Sequence, residues 1–238
     1  MDLPDKIITS APQCRRCGTC CRNGGPALHN EDLGLIGESL IPLSRLVTIR
    51  QNEPALNQQT SQLDPDRGEF LKISGAAGCW TCIFWNEAGK GCGIYEERPL
   101  ECRLLFCEDT SGIERVIGRN LLTREKVPGL EEDIMKAVHL HESACSFLHI
   151  NDLVARFLAD PSALEKLEEI SALVRKDLRI RDSFFAARPE MRQNEMFIFG
   201  RPLFLVLSPF GFWVVEANNT LDVQFADAQM SRRPAAIS

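Results

Sequence analysis

Cys14-Arg15-Arg16-Cys17-Gly18-Thr19-Cys20-Cys21 is the stretch that decides how this chain folds. Two residues between cysteines let a turn aim both sulfurs at one ion, and Gly18 can take the positive φ that points backbone N–H groups at sulfur. A third cysteine at the same spacing, with a fourth far away in sequence, is how bacterial ferredoxins hold a four-iron cluster. The spacing differs from the Cys-x-x-x-Cys-x-x-Cys of radical enzymes that use S-adenosylmethionine. Vicinal Cys20 and Cys21 cannot readily aim at one small ion without backbone strain, so they face two centres or one is a spare or reactive thiol.

A second group follows: Cys79, Cys82, Cys92, Cys102 and Cys107. On a continuous helix Cys102 and Cys107 would stand about 140° apart, so a shared ion requires the helix to end between them. Eight thiolates would fill two four-thiolate centres. One centre with spare structural cysteines is the open alternative.

Nine of the ten cysteines lie between Cys14 and Cys107. With 238 residues the chain can bury an ordinary core without disulfide staples. Residues 1–12 offer only Ile7 and Ile8 as an apolar pair, which is not a secretory signal pattern. The expected location is therefore cytoplasmic, where thiols stay reduced and clustered cysteines bind metal. The longest run of aliphatic or aromatic residues, Leu203 to Leu207, is too short to cross a bilayer, so no membrane insertion is expected. A net charge of −6 with no block of like charges disfavours a nucleic-acid partner.

These patterns predict an α+β protein: an irregular, cysteine-rich, metal-organised region over 1–110, then helices and a C-terminal three-stranded antiparallel meander over 111–238. Within the first region Asn30 can cap a short helix, 46–50 and 69–73 read as strands, and the polar stretch between them reads as a surface loop. Cys82 to Trp85 and Cys92 to Tyr95 flank a turn-forming Asn86 to Gly91, as in a hairpin, and Pro99 suits the start of a helix through Cys102. In the second region helices are expected over 131–145, over 152–159 and from Asp160-Pro161 to about Leu178. Met196 to Phe199, Leu203 to Leu207 and Phe212 to Val215 are the expected strands of the meander, and the residues from about Asn218 read as a loose tail.

Cys14-x-x-Cys17-Gly-x-Cys20-Cys21-Arg22, then Cys82-Ile-Phe-Trp, then Gly91-Cys92-Gly-Ile94-Tyr95-Glu96-x-Arg98-Pro99-x-x-Cys102-Arg103 resembles the YkgJ-type cysteine-cluster family, a zinc- or iron-chelating domain. The resemblance covers about residues 14 to 107. It implies metal ligation by Cys14, Cys17, Cys20, Cys21, Cys82, Cys92 and Cys102, with Cys107 matching a cysteine of some members and Cys79 outside the pattern. The family includes flagellin lysine N-methylases, which are longer, so a protein-modifying enzyme of methyltransferase type on a metal-cluster scaffold is one implied activity. No methyl-donor motif accompanies it here.

Arg98 and Arg103 are candidate cofactor-binding residues behind the sulfurs, where a cation offsets thiolate charge and raises a cluster's potential. Tyr95, the only tyrosine, reads as a hairpin aromatic packed on Trp85. His141 and Cys145 stand four apart, a metal-ligand spacing, but both lie on the apolar stripe where core His and Cys commonly sit. The leading expectation is an iron–sulfur protein carrying one or two clusters, of 4Fe-4S type by spacing, serving electron transfer or the redox part of a larger assembly. That role implies a protein partner. The alternatives are a zinc-bearing structural or interaction module and the modifying enzyme above; no catalytic residue is identified.

Overall fold

The computed structural model describes residues 14–37, 40–57, 60, 62–76, 79–217 and 220–226. In chain order the elements are α1 (Thr19–Arg22), β1 (Leu46–Ile49), β2 (Ala55–Asn57), β3 (Gln62–Asp64), β4 (Phe70–Ile73), β5 (Trp85–Asn86), β6 (Gly91–Cys92), α2 (Leu100–Leu104) and α3 (Ser111–Glu114). They continue with α4 (Glu132–Ala144), α5 (Phe147–Ala159), α6 (Leu164–Ala187), α7 (Glu195–Ile198), α8 (Leu203–Leu207), β7 (Phe212–Ala217) and β8 (Thr220–Phe225), with short 3₁₀ turns between. The class is mixed α and β, built of helices and two-stranded pairs.

The chain forms two compact units, each discontinuous in sequence. One comprises Met1–Pro42 and Lys72–Leu122 and holds every cysteine except Cys145; the other comprises Leu43–Leu71 and Thr123–Ser238. The cysteine unit has little regular structure. Its ordered pieces are the one-turn helices α1, α2 and α3, the β5–β6 pair and single bridges such as Ala27 to Lys72 and Gly75 to Cys82. Its buried apolar side chains include Leu28, Ile36, Ile41, Ile73, Ile94, Ile113 and Leu122.

The second unit has an ordinary core. Phe147, Ile150, Leu153, Val154 and Phe157 of α5 meet Ile170 and Val174 of α6, Leu203, Val206 and Leu207 of α8, and Phe212 and Val223 of the terminal hairpin. The rings of Phe157, Phe212 and Phe225 stand 5.1–5.5 Å apart, centroid to centroid. Ser171 Oγ accepts the Val223 N–H at 3.0 Å, and Arg175 binds Asp222 at 2.6 Å, which fixes β8 along α6.

The expected three-stranded meander is absent, and this is a correction. Met196 to Phe199 falls mostly in helix α7 and Leu203 to Leu207 is helix α8; only Phe212 to Val215 is strand. Its partner is β8, in the stretch read as a loose tail, paired antiparallel from Phe212–Phe225 to Ala217–Thr220. A run of four or five apolar residues is too short, and too uniformly apolar, to carry a period by which helix and strand differ; in α8 the exposed Leu205 sits among buried Leu203, Val206 and Leu207. The polar surface loop before β4 also contains a short antiparallel pair, β2 with β3. No helix is long and apolar enough to cross a membrane, among the described residues.

Charged groups are buried in the second unit as well. Arg50, Arg124 and Arg181 are among its largest fully buried side chains. Glu142 bridges two of them, reaching Arg124 at 2.6 Å and Arg50 at 2.9 Å, and Glu69 takes the other side of Arg124. Arg181 donates to Asp177 at 2.9 Å and to the carbonyls of Gly200 and Phe199, both at 3.0 Å. Gly200 itself has φ +68°, and a Cβ there would stand 2.8 Å from the Thr48 carbonyl oxygen. Only glycine meets both demands.

Candidate metal centre

All ten cysteines are free thiols. Gly18 sits in the left-handed region with φ +77°, turns the chain into α1, and accepts the Arg22 N–H on its carbonyl at 2.9 Å. This turn lies directly against Trp85: a Cβ on Gly18 would come within 2.4 Å of the indole ring. Arg22 completes the dock. It donates to the Cys17 carbonyl at 3.1 Å and to Glu87 at 2.7 Å, while Glu87 also accepts from Trp85 Nε1 at 2.6 Å. Gly18→Ala should therefore push the turn off Trp85 and lower metal content at unchanged expression. Metal analysis of the purified variant checks this, and retention of wild-type content would refute the role given to Gly18.

The remaining segments arrive by backbone bonds. The Cys82 N–H donates to the Cys21 carbonyl at 2.7 Å, Trp85 N–H to the Cys82 carbonyl at 2.9 Å, and Gly93 N–H to the Phe84 carbonyl at 2.8 Å. Cys92 lies on β6, with Trp85 as its register partner. Cys102 lies on α2, whose first turn is pinned by carboxylates: Asp32 Oδ1 accepts the Leu100 N–H at 2.8 Å, and Glu101 accepts the Ala27 N–H at 2.9 Å. A carboxylate at a helix N-terminus satisfies a donor that the helix leaves unpaired. His29 stands 3.4 Å from Glu101 and gives its own N–H to Asp32 at 3.0 Å.

These bonds bring Cys20, Cys21, Cys82, Cys92 and Cys102 near enough for their charges to act on one another, though among the described residues no three of the sulfurs stand within 4.8 Å of one another. Cys20 and Cys21 Sγ are 4.0 Å apart. Cys21 feels the charge of Cys82 and Cys102; Cys102 feels that of Cys82, Cys20 and Cys92. The hydrogen bond from Cys21 draws the Cys20 thiol down to about 6, and the same bond pushes Cys21 up. Burial, then the neighbouring sulfurs, push Cys102 up, and burial does the same to Cys82. Thiols crowded in this way resist ionising together, and a bound cation removes that cost while releasing their protons. The donor set, soft sulfur from several converging segments, fits zinc or an iron–sulfur cluster and no hard cation.

The other cysteines lie further out. Cys17, Cys79 and Cys107 are exposed and Cys14 is half-buried. Cys14 Sγ accepts the Arg16 N–H at 3.3 Å, and the Thr19 hydroxyl beside Cys17 Sγ lowers that thiol's pKa. An ion pair between Arg15 and Glu108 joins the Cys14 segment to the Cys107 segment. Of the two candidate arginines, Arg98 donates to the Tyr95 carbonyl at 2.8 Å and to the Cys102 carbonyl at 3.4 Å, and its charge stabilises the Cys20 thiolate. Arg103 faces Asp32, 3.9 Å away. Asp32, Glu101 and His29 support the site, and sequence reasoning missed them, because carboxylates far from a cysteine motif carry no spacing signal.

The site's residues fall within one stretch of known kind. Residues 13–120 match the CxxCxxCC family, a putative zinc- or iron-chelating domain. The CxxCxxCC match supports metal binding by this part of the chain. No curated protein and no solved structure matches.

His141 and Cys145 are fully buried in the second unit, outside the matched segment. Asp177 joins them, so that donor atoms of all three lie within 4.8 Å of one another. Asp177 is already occupied: Oδ1 meets His141 Nε2 at 2.6 Å and Arg181 Nε at 2.9 Å, and Oδ2 accepts the Leu203 N–H at 3.0 Å. The group is a hydrogen-bonded ionic knot tying α4, α6 and the start of α8.

Proposed function

We propose that this chain is an iron–sulfur protein that transfers electrons, alone or as the redox part of a larger assembly. What supports the reading is the surplus of thiols: Cys20, Cys21, Cys82, Cys92 and Cys102 are linked by the effect of each other's charge, where a closed tetrahedral zinc site takes four ligands. Cys14, Cys17 and Cys107 bring the thiols to eight, the set that two four-thiolate centres require. A cluster bound there supplies a reversible one-electron couple. The chain would hold it with sulfur and keep Arg98 beside Cys20, where its charge offsets that of the thiolates.

The test is the iron, zinc and acid-labile sulfide content of protein purified without oxygen, with a visible spectrum before and after reduction. Iron with matching sulfide and a band that bleaches on reduction is the expected result. Zinc on a colourless protein would replace this reading with a redox-silent structural module.

A further inference from the structure

We propose that Tyr95 is a positioning residue that limits how fast the cysteine centre exchanges its metal, a proposal that rests on the metal-binding reading above. The tyrosine ring is stacked between two guanidinium groups. Arg16 lies over the ring with its central carbon 4.2 Å from the centroid, and Arg98 lies 3.9 Å from it. The two arginines belong to different segments. Arg16 sits inside the exposed Cys14–Cys17 turn, in left-handed backbone with φ +53°, and its N–H is bound to Cys14 Sγ. Arg98 is tied to the carbonyls of Tyr95 and Cys102. The ring therefore links the turn that leads into Cys20 and Cys21 with the segment that carries Cys92 and Cys102.

Guanidinium stays charged at any physiological pH, and its stacking on an aromatic face needs the π system and not the hydroxyl. An ion or cluster leaves such a site by losing one segment at a time. The Cys14–Cys17 turn is the exposed one, so the Arg16–Tyr95 contact breaks before that turn can lift. Removing the contact should speed release roughly three- to tenfold, the size expected from one partly exposed cation–π pair acting on the opening step.

The experiment uses full-length protein with the metal it holds on purification, mixed with excess colorimetric chelator, and reads the rate of release. In parallel, iodoacetamide labelling of the protein as purified is followed cysteine by cysteine. Tyr95→Leu and Arg16→Ala should both release metal faster and label faster at Cys14 and Cys17, with Cys82 and Cys102 unchanged, while Tyr95→Phe behaves as wild type. Arg16 is exposed, so Arg16→Ala decides the matter if Tyr95→Leu does not fold. Wild-type release from a folded Tyr95→Leu protein, wild-type release from Arg16→Ala, or equal acceleration by Tyr95→Phe would overturn the proposal. Absence of metal from the wild-type protein would overturn the metal-binding reading instead, and the labelling rates would still decide whether the stack holds the turn.

Discussion

Cys102→Ser should strip the protein of most of its metal and leave the cysteine unit open to protease, while Cys79→Ser keeps both metal and resistance. Cys102 feels the charge of three other sulfurs at once and rides on a helix pinned by Asp32 and Glu101. Serine there removes a soft ligand from a unit with little regular secondary structure. For structural zinc sites the binding free energy that supports folding is about 10 kcal/mol or more, so losing one ligand is felt as unfolding and not as a small adjustment. Cys79 is exposed and outside the family pattern. Metal analysis with limited proteolysis measures both effects. Equal metal in the two variants would remove Cys102 from the centre.

Asp177→Ala should destabilise the second unit by about 3–5 kcal/mol, the usual cost of leaving one partner of a buried ion pair without the other. Arg181 and His141 would both stay buried, and the Leu203 N–H would lose its acceptor. In a unit of this size the thermal midpoint should fall by about 10 °C. A shift of a degree or two in a scan at constant metal content would show that the knot is not holding these helices together.

The same knot gives a pH dependence whose sign can be worked out. Burial, the largest cause, holds His141 below its ordinary value of 6.5, against the opposing hydrogen bond from Asp177. As pH falls below about 6.5 the unfolded chain takes up a proton at His141 that the folded chain does not, so this contribution to stability is present above that pH and lost below it. Wild-type stability should drop between pH 7.5 and 5.5 more steeply than that of His141→Asn, and parallel profiles from chemical denaturation would count against the assignment.

Much of the cysteine unit was legible in the sequence, because metal ligation writes itself as spacing. The Cys14 to Cys21 run, the turn at Gly18, the Cys92 arm and the helix through Cys102 are where local chain geometry alone places them. What spacing could not give is which sulfurs meet. Cys17 and Cys20 look equivalent in the motif, yet Cys17 is exposed while Cys20 is half-buried beside Cys21. Tyr95 read as a partner for Trp85, whereas its ring is held between Arg16 and Arg98.

In the second unit the amphipathic period of α4 and α6 was visible, and the short apolar runs were not assignable. Leu203 to Leu207 became a helix because Asp177, 26 residues earlier, accepts its first N–H, a contact no local window contains. The spacing of the thiols and the existence of the long helices were set within short stretches of sequence, since each depends on neighbours within a few residues, but the bounds were not: α5 begins at Phe147 and α6 runs on to Ala187, past the expected end near Leu178. Tertiary structure alone decided which thiols are buried and which exposed, the carboxylates that pin the Cys102 helix, and the buried arginines of the second unit. Those depend on groups brought together from distant segments, and the free energy that selects them is set by burial and charge pairing, which no stretch of sequence expresses alone.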